Sequence, residues 1–83
     1  KRGNSMVLSP PKITLEAARV NAGLTLKQAA KLIGVSVATL HKWEQDSSNI
    51  KVSQTKKIEE VYGYPREYIY FGNKKEFNYK KER

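Results

Sequence analysis

The sequence predicts an all-α domain of five short helices, and the local pattern around residue 34 is its strongest support. Apolar residues recur at helical spacing from Leu26 to Ile33, so they share one face of a helix. Gly34 then ends that helix, because glycine adopts a left-handed backbone at almost no cost. Ser36 follows at once and can cap a second helix. Two helices joined by a tight turn are therefore expected here.

The geometry of that turn indicates what the second helix does. Helices joined by three or four residues cross at a steep angle and approach closely at the bend, where Ala30 is suitably small. Leu40 and Trp43 are spaced to point inward, which leaves the opposite face of their helix in solvent. An outward face of short and hydrogen-bonding side chains, docked by its N-terminal end, fits a DNA major groove. The stretch therefore resembles a helix-turn-helix.

Three further helices are expected around this unit. Thr14 can cap a first helix over residues 15–21. Ser53 can cap a fourth helix, and Pro65 can open a short fifth helix that ends before Gly72. The four tyrosines between residues 62 and 70 either close the small core or form a dimer surface.

Length and composition exclude several classes of protein. The chain has 83 residues, enough for one domain, and no cysteine, so neither a disulfide framework nor a thiolate metal site is available. No apolar run is long enough to span a bilayer, and we expect a cytoplasmic protein. His41 is the only histidine and has no accompanying ligand cluster. Without a nucleophile, base and orienting group, we expect neither catalysis nor a cofactor.

The net charge of +8 favours an anionic partner such as nucleic acid, but its distribution is uneven. Residues 1–13 hold three basic residues and no acid, and residues 73–83 hold five basic and two acidic residues. Residues 14–72 are nearly neutral. We interpret these ranges as a flexible N-terminal arm, a DNA-binding domain and a charged tail. The internal Met6 suggests a natural start there, with residues 1–5 as a vector-derived leader.

With its flanks, the central stretch resembles the DNA-binding domain of the phage repressor and Cro group, the Xre family. The strings LEAARVNAGLTLKQAAKLIGVSVATLHKWEQ and KIEEVYGYPREYIYFG carry the resemblance over about residues 15–72. The residues that match the family pattern are Arg19, Gly23-Leu24-Thr25, Ala30, Gly34, Ser36 and Trp43-Glu44. The resemblance implies a five-helix, lambda-repressor-like helix-turn-helix domain. It also implies a bacterial or phage-encoded transcriptional regulator of the repressor type, which binds a double-stranded DNA operator as a homodimer.

Individual roles follow from the same resemblance. The expected base-reading residues are Ser36, Val37, Ala38, His41 and Lys42. The expected phosphate contacts are Thr25, Lys27, Gln28, Thr39, Gln45, Ser47, Ser48, Asn49 and Lys51. Arg19 and Glu44 are expected to form a structural pair. The chain departs from the family at Leu26, where a phosphate-binding Gln is usual, and in the loop after residue 45, which lacks the usual Gly and Pro.

Two other functions stay open at this point. An antitoxin-like regulator would bind DNA with the same helix and hold a protein partner with its charged tail. A protein-binding module would keep the fold and use its outward face for a partner, since fold alone does not fix function. The tail itself can extend the chain as a helix, bind a partner or fray.

Overall fold

The computed structural model describes residues 10–81, with side chains described for residues 10–77. It confirms the all-α class and shows five α-helices among these residues, the fifth of them further along the chain than predicted. The predicted arm falls largely on residues 1–9, which lie outside the described residues, as does the Met6 start. The helices are α1 (Leu15–Asn21), α2 (Leu26–Ile33), α3 (Val37–Gln45), α4 (Val52–Tyr62) and α5 (Lys74–Lys81).

Local capping bonds set the starts of the first three helices. Thr14, Thr25 and Ser36 each accept a hydrogen bond from the backbone N–H three residues on, over 3.0–3.1 Å. Gln28 completes a capping box, because its side-chain oxygen accepts from the Thr25 N–H at 2.9 Å. Gly34 ends α2 with φ +95°, a backbone that would strain a residue carrying a Cβ. The bend between α2 and α3 is therefore encoded locally.

A single apolar core holds the helices together. Leu40 of α3, Ile58 of α4 and Ile69 are the largest fully buried side chains. They meet Leu15 and Ala18 of α1 and Ala29, Ala30 and Ile33 of α2 in one cluster. Because Leu40 is 0% exposed, α3 is fixed by its inner face and presents its opposite face to solvent.

The prediction that Ser53 caps α4 is wrong. The helix begins at Val52, and Lys51 occupies the cap position. The Gln54 side-chain oxygen accepts from the Lys51 N–H at 3.1 Å, so a side chain inside the helix stabilises this end. Ser53 lies within the first turn, where a hydroxyl cannot serve as the cap.

The predicted fifth helix after Pro65 is also wrong in kind. Residues Arg66–Tyr68 form a single 3-10 turn, which a short strand, β2 (Ile69–Tyr70), follows. It pairs in parallel with β1 (Ile13–Thr14), with Ile13 opposite Ile69. Ile69 is 2% exposed, so burial of this side chain against the core favours the extended strand over another helical turn.

The described residues that precede α1 are part of the folded domain. The Tyr64 hydroxyl donates to the Pro11 carbonyl, and Pro10 and Pro11 line a surface groove with Ile13 and Tyr64. Residues 10–13, expected to belong to a flexible arm, are therefore packed against the domain. Tyr62 is buried, whereas Tyr64, Tyr68 and Tyr70 are half-buried.

Much of the predicted charged tail is the helix α5, which is attached to the domain. Gly72 donates its N–H to Ser47 Oγ at 2.9 Å, and Ser47 donates its N–H to the Gly72 carbonyl at 3.0 Å. An antiparallel bridge joins Asp46 to Asn73 directly after it. The rings of Tyr70 and Phe77 are in tilted contact, with centroids 5.0 Å apart and an angle of 45° between their planes. These contacts place α5 beside the C-terminal end of α3.

We expect Ser47→Ala to lower the free energy of unfolding by about 1–3 kcal/mol, because it removes the acceptor of the partly buried Gly72 N–H. Ser48→Ala is the matched control, since Ser48 is exposed. Urea unfolding followed by circular dichroism measures both. Equal stability of the two variants would contradict a structural role for the Ser47 hydroxyl.

Candidate nucleic-acid interface

The candidate interface depends on an ion pair that fixes the outward helix α3 from behind. Arg19 Nε of α1 lies 2.6 Å from Glu44 Oε2, and Arg19 also donates to Glu44 Oε1 at 3.4 Å and to the Leu24 carbonyl at 2.9 Å. The two side chains are only 11% and 3% exposed. The structure therefore brings together the two residues that the family resemblance pairs. The hydrogen bond to Glu44 raises the pKa of the Arg19 guanidinium.

Tyr62 at the end of α4 borders this pair. Its hydroxyl is buried and, among the described residues, has no hydrogen-bond partner. Burial raises the pKa of Tyr62, and the negative charge of Glu44 adds to that effect while Arg19 opposes it. Burial therefore favours the neutral phenol, and Tyr62 belongs to the buried core.

The outward face of α3 carries the predicted base-reading side chains. Ser36, Val37, Ala38, His41 and Lys42 are all exposed, and Val37 is 44% exposed despite being apolar. Leu40 and Glu44 of the same helix are buried. Ser36 lies at the cap, where its hydroxyl donates to Thr39 Oγ1 at 2.9 Å. The other four side chains form a face, here called the reading face, of Val37, Ala38, His41 and Lys42.

The reading face has a definite chemistry. Lys42 carries a positive charge and donors for guanine or phosphate oxygens. Val37 and Ala38 carry only methyl groups, which pack against the methyl group of thymine. The chemistry of these side chains suits apolar contacts to bases and offers few groups for bidentate hydrogen bonds.

The structure gives two of the predicted phosphate contacts other roles. Ser47 is 3% exposed and its hydroxyl is bonded to Gly72, so it is not presented to a ligand. Ser48 donates both its N–H, at 3.0 Å, and its hydroxyl, at 2.7 Å, to Asp46 Oδ1. These bonds lower the pKa of the Asp46 carboxyl. Neither serine is a surface donor in this arrangement. A polar loop sequence does not show which hydroxyls are already hydrogen-bonded within the protein.

The remaining phosphate candidates lie at the surface around α2 and α3. Thr39 is half-buried, and the others are exposed, namely Thr25, Lys27, Gln28, Gln45, Asn49 and Lys51. The Gln28 oxygen is used in the capping box, which leaves its NH₂ group as the donor for a ligand. The backbone N–H of Lys51 is bonded to Gln54, so only its ammonium group is available.

Sequence reasoning missed an ion pair between α1 and α5. Lys74 Nζ at the start of α5 lies 2.9 Å from Glu16 Oε1 of α1. This hydrogen bond is the main cause that lowers the pKa of the Glu16 carboxyl, and the charges of Arg19 and His41 contribute less. An acid therefore lies within electrostatic reach of His41, and Lys74 balances its charge. The sequence showed an excess of basic residues in 73–83, but it did not show that one of them would lie against α1.

The described residues hold neither a cluster of metal ligands nor a membrane-spanning helix. Within residues 10–81, no three His, Asp or Glu side chains cluster closely enough to hold a metal ion. No helix in this range is long and apolar enough to cross a membrane.

Comparison with known proteins identifies the motif. A protein-family model described as "Helix-turn-helix" matches residues 15–69, from the start of α1 to the first residue of β2. No curated protein matches the chain in sequence. Helix α5 lies outside the matched range.

We expect Arg19→Ala to destabilise the domain by about 3–5 kcal/mol, because it leaves the Glu44 carboxylate buried without its partner. The double variant Arg19→Met, Glu44→Leu should recover much of that loss, since it removes both charges. Thermal unfolding by circular dichroism measures each variant. A melting temperature unchanged in the single variant would rule out a structural bridge.

Proposed function

The chain belongs to the Cro/C1-type, Xre-like helix-turn-helix family of DNA-binding regulators, and on that premise we propose a specific role. It is a sequence-specific transcriptional regulator of the phage- or prophage-repressor type. It reads operator DNA in the major groove with α3. The observation that carries this proposal is the division of α3 into a core-facing side and the exposed reading face.

The division matters because base reading requires a rigid helix with accessible side chains. Leu40 holds the middle of α3 in the core, and Arg19 holds its last turn through Glu44. Val37 and Ala38 are near the N-terminal end, which enters the groove in this docking mode. Apolar side chains exposed at that end are costly in water and useful against thymine methyl groups.

Contacts to the phosphate backbone would hold the domain in register. Exposed residues on both sides of the reading face supply these donors: Lys27 and Gln28 at the start of α2, and Asn49 and Lys51 after α3. Such contacts add affinity without sequence preference. We further propose a homodimer on a two-fold operator, whose half-sites lie roughly 34 Å apart. The half-buried Tyr64, Tyr68 and Tyr70 favour a dimer surface at this end of the domain, since tyrosine is enriched at protein interfaces.

Binding to DNA from upstream of the gene tests the proposal. We expect fluorescence anisotropy to show tighter binding to this labelled duplex than to a shuffled duplex of the same composition. The preference should persist as salt rises, because base contacts depend on salt less than phosphate contacts do. Equal binding that disappears with salt would contradict sequence-specific reading and favour a protein partner for the reading face.

Substitution of Lys42 tests the reading face directly. If Lys42 binds a base, Lys42→Ala should cost about 1–3 kcal/mol on the native duplex and relax preference at one base position only. Lys57→Ala, an exposed lysine of α4, is the charge-matched control. Single-base variants of the duplex give the comparison. An equal loss on every sequence would assign Lys42 to a phosphate instead.

A further inference from the structure

We propose that α5 is a second DNA-contacting element, in which Lys75 binds a backbone phosphate at the groove edge where α3 ends. The inference rests on the proposed DNA binding through α3 and adds to it an element outside the family-matched residues.

The position of α5 is fixed next to the last turn of α3. Gln45 and Asp46 share one surface depression with Asn73, Lys74 and Lys75. The Asp46–Asn73 bridge and the Ser47–Gly72 bonds hold the two segments together. Asn73 also accepts from the Lys75 N–H through Oδ1 at 2.9 Å, which orders the start of the helix.

In the proposed docking, the end of α3 comes close to the phosphate strand that borders the groove. At a rise of about 1.5 Å per residue, a helix of this length extends roughly 13 Å, close to the major-groove width of about 12 Å. When its N-terminal end is seated in the groove, its last turn therefore reaches the edge. Gln45 is exposed at this end, and α5 begins beside it.

The ammonium group of Lys75 is available to bind an external anion. Among the described residues, the ion pairs are Arg19–Glu44 and Lys74–Glu16, so Lys75 has no acidic partner within them. Lys75 is exposed. The acid beside it, Asp46, already accepts two hydrogen bonds from Ser48. Lys74 contributes differently, because it neutralises Glu16, whose carboxylate is within electrostatic reach of His41, and so reduces a repulsion toward DNA.

The charge distribution along the chain gives α5 a role in DNA affinity. Residues 14–72 are nearly neutral, whereas residues 73–83 hold five basic and two acidic residues. Affinity for DNA depends on phosphate neutralisation by lysine and arginine. Attachment of α5 beside α3 places two of these basic residues, Lys74 and Lys75, next to the end of the helix that is proposed to enter the groove.

The salt dependence of binding tests the assignment of Lys75. With the full chain and both duplexes, native and shuffled, we expect Lys75→Ala to weaken binding by a similar factor on each. It should also reduce the magnitude of the slope of log K against log salt by about 0.9, the effect of one lost phosphate contact. Lys57→Ala should leave the slope unchanged. An unchanged slope and affinity in Lys75→Ala would overturn the proposal and leave α5 to a protein partner.

The two duplexes separate this inference from the proposed function. Equal wild-type affinity for both duplexes would contradict sequence-specific reading, yet the effect of Lys75→Ala on the slope would still decide whether α5 contacts phosphate. A second pair of variants tests the role of Lys74. We expect Lys74→Ala to weaken binding to both duplexes and Glu16→Gln in the same chain to restore most of it. Absence of that rescue would overturn the neutralisation of Glu16 by Lys74.

Discussion

The buried contact between Arg19 and Glu44 is the interaction on which the arrangement of this domain most depends. It joins the first helix to the last turn of α3, across 25 positions of sequence, and its charges are almost fully removed from solvent. A buried pair of this kind contributes little net stability compared with an apolar pair, but loss of one partner is costly. The pair therefore acts mainly as a constraint on geometry. It fixes the rotation of α3 about its axis, and thereby which side chains face outward.

Residues whose roles depend on near neighbours were predictable from the sequence. Thr14, Thr25 and Ser36 cap helices through bonds that span three residues, and Gly34 permits its turn through its own backbone. The reading face follows from the same local period, because burial of Leu40 determines what lies opposite. Arg19 and Glu44 were found through the family resemblance, since no local pattern pairs residues so far apart.

Features that depend on distant partners were missed for one physical reason. The extended backbone at Ile69 is favoured by pairing with Ile13, and the role of Ser47 by bonding to Gly72. Lys74 and Glu16 lie 58 positions apart in sequence. Local propensity does not contain such contacts, and tertiary packing overrides it where the two conflict. Ser48 is a different case, because its partner Asp46 is only two residues away and the bond between them is a local Asx-type contact.

The charges that orient α3 differ from the charges that are available to attract DNA. The charges of Arg19 and Glu44 are buried against each other, so they orient α3 and contribute little to the field that DNA experiences. The exposed lysines contribute that field, but an exposed flexible side chain by itself fixes no geometry. The contacts of Gly72 and Asn73 with the segment that ends α3 connect the two kinds of charge, because they hold Lys74 and Lys75 at a set place beside a rigid helix. A chain with a nearly neutral body can thus offer cations to a polyanion from outside the reading face, whose one lysine, Lys42, leaves the methyl groups of Val37 and Ala38 free for apolar contacts.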